Sequence, residues 1–254
     1  MSNRATCRLC HVSAELRESH IFPRSFIKLA RDQSMNNKFY EMHDSVDNLI
    51  QDGPKERLLC ERCEQKLSRY EKYFKEAVHL SRHGIQILQD DRIAVISNLD
   101  YRKVKLFLLS VIWRMSISSL PQFESITLGE DEDIIRHMIL EADPGASTKY
   151  PIGATIPLIN GNMQDGWLTT PFVLKRAGGT IYATIIGGIL YHFRVAQGSD
   201  LPDPQFLLNE SGTWPMPITD FRRIPFLMRF IRHQFGGEDA REDRFQEECG
   251  TDIP

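Results

Sequence analysis

The sequence has no apolar run long enough to cross a membrane, since a spanning helix needs about 20 such residues. Residues Met1 to Thr6 are polar and no apolar segment follows them, so we expect no signal peptide. No internal repeat or low-complexity tract is visible, and the chain can be divided only by changes of pattern. These absences predict a cytoplasmic protein without membrane contact.

An excess of charge of one sign is also missing, because the formal net charge of the 254 residues is −3. Residues 236–254 hold seven acidic residues and two arginines, and we predict that they form a disordered acidic tail. Residues 1–80 carry fourteen Lys and Arg against twelve acidic residues. Overall charge therefore neither favours nor excludes nucleic-acid binding, which would have to use a local patch.

Cysteine is scarce, but its placement is informative. Four of the five cysteines form two Cys-x-x-Cys pairs, Cys7 with Cys10 and Cys60 with Cys63, and Cys249 stands alone in the acidic tail. In a reducing compartment such pairs are typical of metal ligation, although redox-active pairs or unrelated core cysteines are alternatives. Four thiolates fill a tetrahedral shell and leave no open position. We therefore predict one structural zinc ion bound by these two pairs.

The composition, 41% hydrophobic and 26% charged, is typical of a globular protein with a sizeable core. We predict an α+β fold in four parts: a zinc-finger domain (1–80), a helical region (81–145), a β-rich assembly or sensing region (146–235) and the acidic tail (236–254). Residues 61–74 are predicted to form a helix. Residues 104–117 are apolar nearly all round, apart from Lys105 and Arg114, which indicates a buried helix.

The β-rich region contains three short apolar segments separated by glycine, at residues 172–175, 180–186 and 189–195. They predict a hairpin or meander, whose edges could support a homo-oligomer. Residues 218–235 interleave arginines with apolar and aromatic side chains, and a helix is predicted from Pro225 onward. We favour packing against the core over nucleic-acid binding for this helix.

The 49 residues between the cysteine pairs exceed the spacing of a simple zinc ribbon, which is about 15–20 residues. Shortly after the first pair stands the motif Ser19-His20-Ile21-Phe22-Pro23, and the second pair opens the predicted helix. This arrangement resembles the HNH, or His-Me finger, nucleases. The resemblance implies that the two pairs bind structural zinc and that His20, on a strand between them, is the general acid or base. An unperturbed histidine suits this task because its pKa is about 6.5.

Two positions depart from the family pattern. Ser19 stands where the family commonly has an acidic metal ligand, and Glu64 stands where it has a histidine directly after the second pair. Asn48 is available as the middle asparagine, but it lies twelve residues before Cys60, farther than in the usual pattern. The resemblance therefore predicts His20 and Glu64 as catalytic residues and leaves a catalytic divalent cation open. Glu64 could instead stabilise the N-terminal end of the helix dipole.

A longer resemblance covers roughly the first 145 residues. Its pieces are the motif at residues 19–23, the run Gln51-Asp52-Gly53-Pro54-Lys55-Glu56-Arg57-Leu58-Leu59-Cys60, and Leu109-Ser110-Val111-Ile112-Trp113-Arg114 in the buried helix. They resemble HNH-like proteins of prokaryotic antiviral defence, most of all the ring-activated zinc-finger ribonuclease effectors. The resemblance implies a nuclease effector that harms the cell's own nucleic acid when infection is sensed, and a phage protein is a candidate trigger.

Three basic residues are candidates for binding nucleic acid. Arg24 and Lys28 follow Pro23 on a predicted helix, one turn apart, where they could meet a phosphate or be solvated charges. Arg114 needs a partner in its apolar helix, either a carboxylate or a phosphate.

The predicted function is a toxic, RNA-cleaving effector that harms the cell's own nucleic acid when infection is sensed. RNA is favoured over DNA because its 2′-OH is an internal nucleophile, so acid–base catalysis can suffice without an ordered metal. A metal-dependent HNH DNA endonuclease is one alternative. A non-catalytic zinc-binding adaptor is the other.

Overall fold

The structure is a computed structural model, and it describes residues 4–32, 39–41, 48–50, 53–80, 86–88, 92–176, 179–195 and 203–229. The predicted acidic tail, Cys249 and residues 230–235 lie outside the described residues. Helices and strands both occur through the described chain, which confirms the predicted α+β class. In this part of the chain no helix is long and apolar enough to cross a membrane.

The N-terminal elements surround the two cysteine pairs. In chain order they are β1 (Arg4–Thr6), β2 (Ser13–His20), α1 (Arg24–Asp32), β3 (Phe39–Glu41), β4 (Asn48–Ile50), β5 (Lys55–Cys60) and α2 (Glu61–Phe74). Strands β1, β2 and β5 form an antiparallel sheet in that order, and β3 pairs with β4. Helix α2 matches the prediction for residues 61–74 and continues as a π-helical segment, Lys75–Leu80.

The middle elements are β6 (Gln86–Leu88), β7 (Ile93–Ile96), α3 (Tyr101–Ile117) and α4 (Asp131–Glu141). Helix α3 confirms the predicted buried helix and begins three residues earlier than predicted, because the Asp100 side chain caps it. Lys105 is buried in α3, where its ammonium group donates to the carbonyls of Ala146 (2.6 Å) and Lys149 (2.7 Å). Burial lowers its pKa to about 8. Lys105, noted in the sequence as a charge in an apolar helix, thus links α3 to the loop between α4 and the next strand.

The C-terminal elements form most of the large sheet. They are β8 (Ile152–Ile159), β9 (Asn162–Met163), β10 (Phe172–Arg176), β11 (Gly179–Ile186), β12 (Ile189–Val195) and β13 (Trp214–Asp220). Seven strands follow the order β10-β11-β12-β8-β13-β7-β6, with β9 paired to β8. Antiparallel pairing of β10, β11 and β12 confirms the predicted meander. Since β11 and β12 each have a strand on both sides, β10 is the meander's outer strand among the described residues.

Strand β13 is absent from the sequence-based prediction, because Pro215 and Pro217 argue against a strand inside a sheet. The prolines alternate with Trp214 and Met216, whose side chains are fully buried. The first half of β13 pairs antiparallel with β7, and its last three residues pair parallel with β8. Burial of Trp214 and Met216 therefore outweighs the absence of backbone N–H donors at the two prolines.

One apolar core runs through all three parts of the described chain. Phe74 of α2 stacks on Phe107 of α3 at 4.2 Å and meets Tyr191 of β12 at 5.8 Å, between ring centroids. The opposite face of the sheet is covered near Ile224 and Leu227, which pack against apolar residues of β11 and β12. Residues 225–229 are helical, so the described part of the helix predicted from Pro225 has the predicted core contact.

Candidate zinc centre and histidine site

The two cysteine pairs converge at one end of the N-terminal sheet. Cys7 and Cys10 lie in the turn between β1 and β2, and Cys60 and Cys63 lie where β5 runs into α2. All four Sγ atoms lie within 4.8 Å of one another, and those of Cys10 and Cys60 are 3.8 Å apart. Zn–S bonds of about 2.3 Å in a tetrahedron place sulfurs about 3.8 Å apart. The four free cysteines could therefore coordinate a zinc ion, as predicted.

Backbone hydrogen bonds hold this arrangement. The amide of His11 donates to the carbonyl of Cys7 at 2.9 Å, and His11 adopts the left-handed φ of 58° that closes the turn. The amide of Arg8 donates to the carbonyl of Leu58 at 2.9 Å, which fastens the turn to β5. The amide of Cys60 donates to Cys7 Sγ at 3.3 Å. Such amide–sulfur bonds favour a thiolate and thereby support metal binding.

The pKa values of the cysteine thiols favour a cation at this point. A hydrogen bond with Cys63 lowers the pKa of Cys7 to about 4, and the same hydrogen bond raises the pKa of Cys63. Burial raises the pKa of Cys10. The thiols alone thus favour one thiolate held by protonated neighbours, whereas four adjacent thiolates require a positive ion. The N-terminus of α2 adds a favourable partial charge beside Cys63.

His20 is the last residue of β2, opposite Lys55 of β5. The resemblance to the HNH nucleases implies a histidine on such a strand. Ser19 before it is completely buried, Ile21 after it is also buried, and His20 itself is partly exposed. The strand therefore presents His20 at the surface while its neighbours anchor the backbone.

Three hydrogen bonds, which we call the His20 tethers, fix the segment that carries His20. The hydroxyl of Ser19 donates to the carboxylate of Glu64 on α2. The hydroxyl of Ser25 donates to Glu71, two turns farther along α2, at 3.0 Å. On α3, Arg114 Nη1 donates to the carbonyl of His20 at 2.6 Å. The tethers join the His20 carbonyl and the hydroxyls of Ser19 and Ser25 to the two packed helices α2 and α3.

Arg114 is only 4% exposed. Burial lowers its pKa, while the charges of Glu71 and Glu64 act in the opposite direction. Its Nε also donates to the carbonyl of Ser110 at 3.2 Å. Arg114 therefore stabilises the backbone at His20 from a buried position. Direct binding of a phosphate by Arg114 stays a prediction.

Arg24 and Lys28 lie on α1, which begins directly after Pro23, and both are exposed. The helix therefore places the two predicted phosphate ligands at the surface, four residues or more after His20.

Gly53 and Pro54 lie beneath the same segment. The amide of Ile21 donates to the carbonyl of Pro54 at 3.0 Å, and Gly53 has a φ of +66°. The positive φ would strain any other residue, and a Cβ at Gly53 would lie 2.5 Å from the terminal Cδ1 of Ile27, so the position favours glycine.

The tethers are the part of the site that sequence reasoning missed. Ser19 and Glu64 stand out in the sequence only as departures from a family pattern, and 45 residues separate them. The spacing of Glu64 and Glu71 by seven residues places both on one face of α2, which was an available signal. Asn48 lies on β4, and Gln51 and Asp52 lie outside the described residues.

Comparison of this chain with protein-family models, with curated proteins and with solved structures found no match.

The Ser19–Glu64 hydrogen bond allows a direct test of the role predicted for Glu64. Gln keeps an oxygen that accepts from Ser19 but cannot transfer a proton or supply a charged metal ligand. If the protein cleaves RNA, as the resemblance implies, and Glu64 acts through the tether, Glu64→Gln should retain most of this cleavage, measured as the initial rate on labelled RNA. Ser19→Ala should lower the rate more than Glu64→Gln, because it removes the tether. A loss of about 10²-fold or more in Glu64→Gln would instead assign direct catalysis to this carboxylate.

Proposed function

We propose that this protein is a zinc-finger ribonuclease and that His20 is its general acid or base. The observation that carries the proposal is the set of His20 tethers beside the four-cysteine cluster. They fix the segment that carries a partly exposed histidine, as expected for a group that must be preorganised for catalysis.

The proposed chemistry uses the nucleophile that RNA carries. The imidazole of His20 accepts the proton of a 2′-OH, the 2′-oxygen attacks the adjacent phosphorus, and the 5′-oxygen leaves with a proton taken from solvent or from a second group. Arg24 and Lys28, exposed on α1 soon after His20, would bind the phosphate and stabilise its developing charge. Zinc bound by the cysteines would hold the fold together, because four thiolate ligands leave no position for substrate.

The identity of residue 19 supports RNA over DNA as the substrate. Hydrolysis of DNA by an HNH nuclease would need a set of ligands that holds a catalytic cation. Ser19, a neutral residue, stands where an acidic metal ligand would be expected, and its hydroxyl donates to Glu64. A chemistry that depends on the 2′-OH needs no second metal ion at this position.

The proposed cellular role is that of a toxic effector in antiviral defence, with a phage protein as trigger and a homo-oligomer as the working form. Strand β10, the outer strand of the meander, is the segment we propose for self-association.

The experiment that tests the proposed activity compares RNA with DNA in the presence and absence of EDTA. Purified protein should cleave single-stranded RNA at the same rate with moderate EDTA, provided that elemental analysis shows about one zinc retained per chain. It should leave DNA of the same sequence intact. Cleavage of plasmid DNA that requires added Mg²⁺ would contradict the proposal and favour a metal-dependent endonuclease. A protein that cleaves neither substrate but still protects cells would favour the adaptor.

A further inference from the structure

Lys55 lies directly opposite His20 in the N-terminal sheet, because the two residues are Cα partners in the antiparallel pairing of β2 with β5. In the next pair along the ladder, the amide of Ile21 donates to the carbonyl of Pro54 at 3.0 Å. Hydrogen-bonded and non-hydrogen-bonded pairs alternate in an antiparallel ladder, so His20 and Lys55 form a non-hydrogen-bonded pair. The Cβ atoms of directly opposite residues are about 4.5–5.5 Å apart, and such pairs are the closer ones. The two side chains therefore leave the sheet side by side on the same face.

His20 and Lys55 share the face of the sheet that the helices leave uncovered at this point. Successive side chains of a strand point to opposite faces, so Ser19 and Glu56, which oppose each other, point the other way. Ser19 is completely buried and donates to Glu64 on α2. His20 and Lys55 are both partly exposed. A substrate can therefore reach both side chains.

Glu56 fixes β5 directly beside Lys55. Its carboxylate accepts from the hydroxyl of Ser118 at 2.8 Å, from the hydroxyl of Ser119 at 2.7 Å and from the amide of Ser119 at 2.9 Å. These two serines follow the last residue of α3, the helix that also carries the Arg114 tether. One end of one buried helix thus holds both β2 and β5. Two side chains that act on the same phosphate need this fixed relative position.

Lys55 differs from the other basic residue of β5 in its cross-strand neighbour. Arg57 lies on the same face, two residues along the strand, and its partner in the pairing is Glu18. An opposite charge at the facing position offsets the charge of Arg57. Lys55 faces His20 instead, so its charge lies beside the imidazole proposed for catalysis. A lysine ammonium group has three donors on a flexible stem, which suits contact with a phosphate oxygen.

We propose that Lys55 is a second catalytic residue, which binds the reacting phosphate beside His20. The inference rests on the proposed ribonuclease function and extends it. The proton of the 2′-OH passes to the imidazole of His20 while the 2′-oxygen bonds to phosphorus, and negative charge grows on the non-bridging oxygens. The ammonium group of Lys55 donates hydrogen bonds to one of these oxygens and keeps its own protons as the bond to the 5′-oxygen breaks. This contact strengthens as the charge grows, and it therefore stabilises the transition state more than the bound substrate.

Lys55→Gln should lower the single-turnover rate at saturating RNA by about 10²- to 10³-fold, the usual effect of removing one donor to a developing oxyanion. RNA affinity is measured on zinc-loaded His20→Ala protein with and without Lys55→Gln. It should change by about fivefold or less, because the contact acts mainly in the transition state. Lys55→Arg keeps the positive charge and should recover at least about a tenth of the wild-type rate. Zinc content and melting temperature should stay at the wild-type values in both variants.

Arg57→Gln is the matched control, since it removes one positive charge from the same strand and the same face. Its cleavage rate should stay within about threefold of the wild-type rate, because exposed charges are screened by salt. A wild-type rate in Lys55→Gln would overturn the inference, and the proposed function would stand if His20→Ala had lost activity. Equal losses in Lys55→Gln and Arg57→Gln, or a loss of RNA affinity alone, would also overturn it. A wild-type protein that cleaves no RNA would overturn both the inference and the proposed function.

A second measurement needs no substitution at Lys55 and serves if Lys55→Gln does not fold. Zinc-loaded His20→Ala protein is acetylated with and without bound single-stranded RNA, and the modified lysines are identified by mass spectrometry. Bound RNA should protect Lys55. Lys103 is the control, because it is exposed and lies eleven residues before Arg114 on α3, about 16 Å along the helix. Equal acetylation of Lys55 with and without bound RNA would overturn the inference.

Discussion

Cys60→Ser is expected to abolish zinc binding and to unfold the N-terminal part of the protein. Wild-type protein should contain about one zinc per chain, and the variant close to none. The expected loss is large because structural zinc contributes about 10–16 kcal/mol of apparent free energy to small zinc domains. Cys60 is also the residue at which β5 becomes α2, and its amide binds Cys7 Sγ. The amide remains in Cys60→Ser, so the variant removes the thiolate ligand alone.

Cys249→Ser is the control for this experiment, because Cys249 stands alone in the sequence, outside the two Cys-x-x-Cys pairs. It should keep both zinc content and thermal stability. Elemental analysis and circular dichroism, recorded on the same preparations, provide the two readouts. A folded Cys60→Ser protein of unchanged melting temperature, or a folded wild-type protein without zinc, would contradict a structural zinc site.

The parts of the fold that the sequence predicted are those with a strong local pattern. Helix α3 is apolar on almost all sides, and the segments of β10, β11 and β12 are separated by glycine, so each shows its type within its own residues. The cysteine pairs are equally local, because two residues between ligands suit one metal ion. Their approach across the 49 intervening residues is borne out by the clustered Sγ atoms.

Other features depend on contacts between distant residues, and no local pattern reports them. Strand β13 forms because Trp214 and Met216 are buried and because it pairs with β7 and β8, although its prolines argue against a strand. Arg114 donates to the carbonyl of His20, which lies 94 residues earlier in the chain. A backbone carbonyl carries no side-chain signal, so the sequence suggested only a carboxylate or a phosphate as its partner.

His20→Ala is expected to lower the rate of RNA cleavage by about 10²- to 10⁴-fold, the usual contribution of a positioned general acid or base. Zinc content and melting temperature should stay nearly unchanged. The reason is geometric: the tethers use the carbonyl of His20 and the hydroxyls of Ser19 and Ser25, and all of these remain in the variant. His20→Gln keeps a polar side chain of similar length but cannot transfer a proton at neutral pH, so it should lose as much activity.

The measurement that tests the ribonuclease account most directly is single-turnover cleavage of labelled RNA by wild-type and His20→Ala protein with equal zinc content and equal melting temperature. The account predicts a rate for the variant at least about 10²-fold below that of the wild type. A folded, zinc-loaded His20→Ala protein that cleaves RNA at the wild-type rate would contradict it.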